Sequence, residues 1–255
     1  MCMWSFVNIQ DAVPGGPVSP SQTRFQVFTS VAYGAQGVPY FYYYELARGE
    51  LQSALFEAVK ETNLYLRYVI GPRVLGHRCV AVYHAPDEVP PGSREPGENE
   101  LVRAMDDGVL VGVLTPEADF VSGDNTPDYL LVVDKRTVSI EQKEPKLRSI
   151  ELEFADGVTT VTELLPRDGK VEHVLENGGK LELSEVPAGG AILLAVGVTK
   201  HNFAVKPPEV VIESLDPVWK FARDPQKEGQ ENEWFAVKHD DSDWAEVRHD
   251  QGTGW

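Results

Sequence analysis

A run of aromatic residues that ends on a carboxylate is the segment of this sequence whose side chains are best suited to chemistry. In "VPYFYYYE" (38–45), five rings precede Glu45. Side chains alternate along a strand, so Tyr40, Tyr42 and Tyr44 should point to one side. Tyrosine rings stack on the apolar faces of sugars while their hydroxyls bind polar partners. We therefore predict that Tyr42, Tyr44 and Glu45 bind carbohydrate, whereas the first half of the strand fills a core.

Other reactive residues do not form a recognisable catalytic or metal-binding motif. The six histidines lack the HxxxH and HExxH spacings of metal ligands. The two cysteines, Cys2 and Cys79, lack CxxC spacing. The acidic run "HDDSDW" (239–244) fits a solvated turn before a strand better than a calcium loop. We predict no metal and no cofactor, and the catalytic residues stay unknown.

Composition limits the partners that the chain can bind. The 255 residues include 40 acidic and 23 basic ones, which give a formal net charge of −17. This balance argues against nucleic acid and against an anionic membrane surface, since both need clustered Lys and Arg. No segment approaches the roughly 20 apolar residues of a membrane helix. The first residues lack the basic and apolar regions of a signal peptide, and they predict no particular compartment.

The elements around the aromatic run predict an α/β unit. Apolar residues at near-helical spacing predict a helix over 19–35, with Ser19 as its N-cap. The aromatic strand follows at 38–44, and a second amphipathic helix is predicted over 50–70. We expect Gly71-Pro72 to end this helix. We also expect the strand to lack a paired neighbour, which would leave its edges open.

From residue 77 onward the pattern changes to short alternating strands. Turn residues separate these strands, as is typical of an antiparallel sandwich. "VLENGGKLEL" predicts a hairpin around Asn177-Gly178-Gly179. The polar segment 85–100 predicts a long exposed loop, and 206–217 a linker. Four of the five tryptophans follow that linker, in a region too short to bury them alone.

Three segments resemble one family of proteins. "FQVFTSVAYGAQGVPYFYYYE" resembles the closing helix and eighth strand of the (β/α)8 barrel in bacterial glycoside hydrolases of the β-galactosidase type. Tyr44 stands where that family usually has a tryptophan lining the sugar subsite. "DYLLVVDKR" resembles a sandwich strand that often reads "YVLVVNK", with Asp134 in place of the asparagine. The last region resembles the opening of a galactose-binding-like jelly roll through Trp219, Asp224-Pro225, Gly229, Trp234-Phe235, Asp241-Ser242 and Trp244.

The resemblance implies a mainly β fold with an N-terminal α/β piece. Residues 1–76 would be the last unit of a (β/α)8 barrel, and 77–205 an accessory antiparallel β-sandwich. Residues 206–255 would be a linker and an incomplete jelly-roll start. The family's two catalytic carboxylates stand on the fourth and seventh barrel strands, which we expect to lie upstream of Met1.

The function that follows is that of the C-terminal part of a carbohydrate-active glycoside hydrolase, noncatalytic alone and with a structural or sugar-binding accessory role. An independent carbohydrate-binding or adhesion sandwich is the alternative, and a hydrolase of another class stays open. The expected partner is a glycan or oligosaccharide. We also expect self-association through the incomplete ends, because unpaired strand edges and exposed rings favour it.

Overall fold

The structure is a computed structural model of the chain. It describes residues 3–8, 18–41, 50–85, 89–117, 128–140, 142–143, 145–165, 169–175, 179–198, 218–221, 240 and 242–248. The chain forms two compact units, residues 1–209 and 210–255.

The first unit begins with short strands and helices and continues with strands alone. Its first elements are β1 (Met3–Trp4), β2 (Val7–Asn8), α1 (Pro20–Ala32), β3 (Ala35–Gly37), β4 (Tyr40–Phe41), α2 (Glu50–Tyr65), a π turn (Leu66–Ile70) and α3 (Gly71–Val74). Its later strands are β5 (His77–His84), β6 (Val102–Met105), β7 (Val109–Pro116), β8 (Asp128–Asp134), β9 (Arg148–Phe154), β10 (Val158–Leu164), β11 (Lys170–Val174), β12 (Gly179–Val186) and β13 (Ala191–Val198).

The later strands form two antiparallel sheets. A six-stranded sheet has the order β11-β10-β13-β8-β7-β5, and a three-stranded sheet has the order β12-β9-β6. Apolar side chains from both sheets fill one core, to which β9 contributes Ile150, Leu152 and Phe154. The prediction of a mainly β protein with two packed antiparallel sheets is therefore confirmed. The predicted domain boundaries stay predictions.

The central strands β7 and β8 of the six-stranded sheet are buried on both faces. On β7, Val109, Val111 and Val113 enter the core between the sheets. Leu110 and Leu114 of the same strand enter a second core with α1, α2 and the π turn. Burying an aliphatic side chain stabilises a fold by roughly 1.5–3 kcal/mol. Both the helices and the smaller sheet therefore stabilise the larger sheet by covering apolar side chains, each on one face.

Helix α1 has the N-terminus that the sequence predicts. Ser19 is the N-cap and its hydroxyl accepts from the backbone N–H of Gln22, while the Gln22 side chain accepts from the Ser19 N–H. Pro20 occupies the first turn, where no backbone N–H is required. The helix ends at Ala32, and Gly34 at φ +92° turns the chain away, which only glycine does without strain.

Two glycines let the backbone of α1 lie directly against the sandwich. A Cβ at Gly112 of β7 would meet the carbonyl oxygen of Ala32 at 2.3 Å. A Cβ at Gly189, before β13, would meet the carbonyl oxygen of Ser21 at 2.0 Å. Arg24 also donates from Nε to the carbonyl of Ala188 at 2.9 Å. Helix α1 is thus held at both ends by contacts that leave no room for a side chain.

Tyr65 joins α2 to the same sheet. Its hydroxyl donates to the carbonyl of Leu164 on β10 at 3.1 Å and accepts from the N–H of Leu193 on β13 at 2.9 Å. Its ring meets that of Phe28 edge-on, with centroids 6.1 Å apart. One side chain therefore connects both long helices to two neighbouring strands.

The expectation that the aromatic strand lacks a neighbour is wrong. β4 pairs in parallel with β2, with Val7 opposite Tyr40 and Asn8 opposite Phe41. β3 pairs in parallel with β1. Two-residue strands carry too little alternation to be visible in a sequence, so the pattern did not indicate them. The order β2, α1, β4 is a parallel strand–helix–strand arrangement.

Gly71-Pro72 does not end the second helix, so that prediction is wrong as well. The helical path continues through the π turn into α3 and ends at Val74. Gly71 has right-handed helical angles, φ −54° and ψ −50°, and its N–H donates to Leu66, five residues earlier. Pro72 then lies in the first turn of α3, where its missing N–H costs nothing.

The predicted hairpin around residue 178 is also wrong. β11 pairs with β10 in the larger sheet, whereas β12 pairs with β9 in the smaller one. The two arms are therefore in different layers. Leu181 and Leu183 of β12 are buried in the core between the sheets, and the alternation that suggested a hairpin reflects this burial. Asn177 and Gly178 lie outside the described residues.

The predicted exposed loop is confirmed over its described part, 89–100. It forms no strand, but Arg94 makes a single parallel bridge to Tyr83 at the edge of β5. The Tyr83 hydroxyl donates to Glu100 at 2.7 Å, so the loop is held against the sandwich at its middle and at its last residue. β6 follows this loop and was not predicted.

The second unit is described at β14 (Val218–Phe221) and β15 (Ala245–Arg248), which pair antiparallel. The N–H of Ser242 donates to the carboxylate of Asp240 at 3.1 Å, and Asp240 and Asp243 are exposed. The interpretation of this acidic run as a solvated turn before a strand is confirmed for these residues. Asp241 lies outside the described residues.

Candidate functional site

The three predicted sugar-binding residues, Tyr42, Tyr44 and Glu45, lie outside the described residues. Tyr40, which begins the same row of rings, is described. Its hydroxyl donates to Oδ1 of Asn63 on α2 at 2.9 Å, and its ring packs against the core under the helices. The core-filling role predicted for the first half of the strand is therefore confirmed at Tyr40. The sugar-binding role of Tyr42 and Tyr44 stays a prediction.

Burial keeps two tyrosines of this α/β part neutral over an unusually wide range of pH. Desolvation raises the pKa of Tyr40 to about 12 and the pKa of Tyr65 to about 12. In Tyr65 the hydrogen bond from Leu193 opposes this rise without cancelling it. Neither hydroxyl is an activated nucleophile or base. Both act as hydrogen-bond partners that hold α2 in place.

These shifts predict alkaline destabilisation. The folded-state pKa values lie above the unfolded value near 10, so their contribution to stability is complete below pH 10 and is lost as pH rises towards 12. We expect Tyr65→Phe to lower stability at neutral pH by about 1–2 kcal/mol through its lost hydrogen bonds, and to flatten the alkaline loss. Denaturant titrations across pH 8–12 measure both effects.

Tyr68→Phe is the matched control, because the Tyr68 side chain is 55% exposed. It should leave the alkaline profile of the wild-type chain unchanged. An alkaline profile of Tyr65→Phe that superimposes on the wild-type profile would contradict the assignment.

A second group of polar side chains lies where α1 meets β5. The hydroxyl of Tyr33, the C-cap of α1, is 2.9 Å from Nε2 of His84, and the ring centroids are 6.2 Å apart. Burial raises the pKa of Tyr33, a hydrogen bond with Ser93 partly opposes this, and Cys79 adds to the rise. A tyrosine–histidine pair is able to move protons. Here it joins the end of α1, the sandwich and the loop after β5.

Sequence reasoning missed this pair. Tyr33 lies within the segment that resembles the family's closing helix and eighth strand, and His84 is one of the six histidines without metal-ligand spacing. Neither the spacing nor the composition of the sequence indicates this contact, because 51 positions separate the two residues. Their meeting depends on how α1 docks on the sheet.

Cys79 is next to this pair and is not a reactive thiol. Desolvation raises its pKa to about 11, although a backbone hydrogen bond with Ala81 partly opposes the rise. The thiolate is the nucleophilic form, so a raised pKa makes the side chain inert at neutral pH. A Cβ at Gly34 would meet the Cβ of Cys79 at 3.0 Å, which shows how closely the helix end approaches β5.

A third group surrounds the start of β8. The rings of His77 and Tyr129 lie with centroids 5.0 Å apart. Burial raises the pKa of Asp128, while a hydrogen bond with Thr115 and the proximity of His77 lower it. A partly buried carboxylate with a raised pKa is the usual form of a general acid. A retaining glycosidase needs a second, ionised carboxylate about 5–5.5 Å from its acid, and the contacts of the described residues place none beside Asp128.

A buried ion cluster surrounds Asp134, the residue that stands where the resembling strand motif has an asparagine. Asp134 is 0% exposed, and Arg136 donates to it from Nε at 2.8 Å and from its backbone N–H at 3.0 Å. Nη2 of Arg148 lies 2.9 Å from Oδ1 of Asp134, and the Arg148 guanidinium donates to the carbonyls of Asp107 and Gly108. The cluster connects β8, β9 and the turn before β7 by pairing one buried carboxylate with two guanidinium groups. Its role is structural.

Within the described ranges, no group of three or more His, Cys, Asp and Glu side chains is placed to hold a metal ion. Nor does any described helix have the length and apolar character needed to cross a membrane. Among known proteins, the chain matches no family model and no curated protein. The fold and these contacts define a mainly β, two-sheet protein with an α/β part packed on its larger sheet.

Proposed function

We propose that this chain is the sandwich-bearing part of a glycoside hydrolase of the β-galactosidase type, in which the sandwich is a structural or sugar-binding accessory to a (β/α)8 barrel. The observation that carries the proposal is the parallel arrangement of β2, α1 and β4, followed by α2. Barrels of this kind repeat such strand–helix units. The aromatic residues that resemble the family's eighth strand begin at β4.

The pairing of β2 with β4 changes one expectation within this proposal. If β4 takes the place of the eighth strand, then β2 takes the place of the seventh, which we expected upstream of Met1. Asp11 is the acidic residue that first follows β2 in the sequence, and it lies outside the described residues. Retaining enzymes need two carboxylates about 5–5.5 Å apart on different strands. The described residues hold no strand in the place of the fourth, so we propose that the chain is noncatalytic alone.

The second unit is proposed to begin a galactose-binding-like jelly roll. The antiparallel pairing of β14 with β15, with the acidic turn before β15, supports this. The alternative, an independent binding sandwich, gains less support. In the described part of the chain, the exposed aromatic side chains are Phe6, Phe56 and Tyr68, all of which precede the sandwich.

A binding and turnover assay on the purified chain tests the proposal. We expect weak binding of lactose, in the millimolar range, and no hydrolysis of chromogenic β-galactosides. Tyr44→Ala should weaken lactose binding about tenfold, since one ring stack contributes about 0.5–1.5 kcal/mol beyond its buried area. Isothermal titration calorimetry gives the affinity and absorbance gives the turnover.

Tyr40→Phe is the matched control, because the Tyr40 hydroxyl donates to Asn63 rather than facing a ligand. It should bind lactose as the wild-type chain does. Equal binding by Tyr44→Ala would end the sugar-facing assignment. Turnover that disappears in Asp11→Asn or in Glu45→Gln would overturn the noncatalytic interpretation.

A further inference from the structure

Strand β12 is an open edge of the smaller sheet in the part of the chain that the structure describes. It pairs with β9 on one side, and the order β12-β9-β6 places it last. Among the described residues, no strand pairs with its other side. The backbone N–H and C=O groups on that side are a template for pairing with another chain.

The regular part of this edge is short. From Gly179 to Leu183 the register against β9 advances residue by residue. It shifts between Leu183 and Val186, where Glu185 has a φ of 61°. A bulge bends and twists its strand and interrupts regular pairing. The part of β12 that is able to accept another strand is therefore the segment 179–183, which has Leu181 at its centre.

The exposed side chains of this segment are a cation and an anion on either side of Leu181. Lys180 and Glu182 are exposed on the outer face of the smaller sheet, whereas Leu181 is buried in the core between the sheets. β9 places Glu153 opposite Lys180. It places Glu151 opposite Glu182, and like charges directly opposite each other destabilise a strand pair. A cation on the open side of Glu182 would offset this repulsion.

A second copy of β12 supplies that cation in one register. In an antiparallel pair of identical strands, the two-fold axis passes through a residue that lies opposite itself. An axis at Leu181 places Lys180 of each copy directly opposite Glu182 of the other, on the same face of the sheet. An axis at Lys180 or at Glu182 would place like charges together instead. The order of the charges and the extent of the regular segment therefore select the same centre.

The ion pair that Lys180 makes within the chain is compatible with a second partner. Its ammonium group donates to Oε1 of Glu151 at 2.5 Å, and the two side chains are 61% and 49% exposed. An ammonium group has three donors, and water screens an exposed pair of this kind. The carboxylate of Glu182 in a second copy is therefore able to accept from the same ammonium group while the bond to Glu151 is kept.

We propose that the chain forms an isologous dimer in which residues 179–183 of two copies pair antiparallel about Leu181 and join the two smaller sheets into one. This surface differs from the incomplete ends through which self-association was expected from the sequence. Main-chain hydrogen bonds hold the strands together, and the contacts of Lys180 with Glu182 fix the register. A short strand pair buries less than the about 1,200 Å² that stable interfaces bury, so the dimer is weak and concentration-dependent. Dimerisation does not depend on the function proposed above.

Sedimentation equilibrium of the full chain measures the dimer dissociation constant and tests the register. We expect Lys180→Glu and Glu182→Lys each to raise the constant about tenfold, because each places like charges opposite one another across the two-fold axis. The double variant Lys180→Glu/Glu182→Lys exchanges the two charges and should restore the wild-type constant. It also keeps one like pair and one unlike pair with β9, as in the wild-type chain. Circular dichroism confirms that each variant is folded.

Lys60→Glu and Glu57→Lys on α2 are the matched controls, because they change the net charge of the chain by the same amounts. Their side chains are 52% and 56% exposed, and α2 packs on the larger sheet. Both should dimerise as the wild-type chain does. The proposal is overturned by a wild-type chain that remains monomeric, by single β12 variants that dimerise normally, by a double variant without rescue, or by controls that weaken the dimer equally.

Discussion

Gly112→Ala is expected to destabilise the first unit by about 3 kcal/mol, at the upper end of the range for overpacked cores. The added methyl would meet the Ala32 carbonyl oxygen at 2.3 Å and the Ala32 Cα at 2.7 Å. Both are backbone atoms of α1, so no side chain can move aside. The helix must leave the sheet, and the second core opens. Thermal and urea unfolding followed by circular dichroism measure the loss.

Gly97→Ala is the matched control. A Cβ at Gly97 meets nothing within 4 Å, so the same methyl should change stability by no more than about 0.5 kcal/mol. Equal melting temperatures for Gly112→Ala and Gly97→Ala would show that α1 does not lie on β7 as the structure has it.

Asp134→Asn is expected to cost about 3 kcal/mol, because removing one partner of a buried ion cluster leaves uncompensated charge. The change installs the residue that the resembling strand motif carries, with almost no change of shape. The amide cannot accept from both Arg136 and Arg148 as the carboxylate does. The contacts of Arg148 with the turn before β7 should loosen together with the ion pair. Urea unfolding gives the free energy.

Asp156→Asn is the corresponding control in an exposed ion pair. Asp156 contacts Arg103 at 2.9 Å, but its side chain is 71% exposed. Water replaces the lost interaction there, so no measurable change in stability is expected. If Asp134→Asn also left stability unchanged, the asparagine of the motif would be fully compatible with this site, and the cluster would contribute no net stability.

Capping residues and apolar spacing predicted the helices and strands in which they occur. The Ser19 cap and the apolar spacing after it placed α1 to within a few residues. The alternating strands predicted the two-sheet sandwich because each strand has one buried face or two. These signals act within a few residues of chain, where propensity and burial agree.

Pairing between distant segments was not predictable from the same signals. The parallel pairing of β2 with β4 joins residues on either side of α1, and two-residue strands leave no pattern. The hairpin prediction failed because alternation reports a buried face and not the sheet to which a strand belongs. The Tyr33–His84 contact depends on the docking of α1, which in turn depends on a glycine in β7. Single-residue patterns contain none of this information.

The position of β13 has a consequence for how the chain acquires its structure during synthesis. β13 lies between β10 and β8, so the strands on its two sides cannot meet until residues 191–198 have left the ribosome. Contacts such as Arg24 with Ala188 and Tyr65 with Leu193 span 164 and 128 positions. Folds with such distant contacts form slowly. The first helices therefore emerge long before the surface that covers them, and the nascent chain must keep their apolar faces soluble until its last central strand arrives.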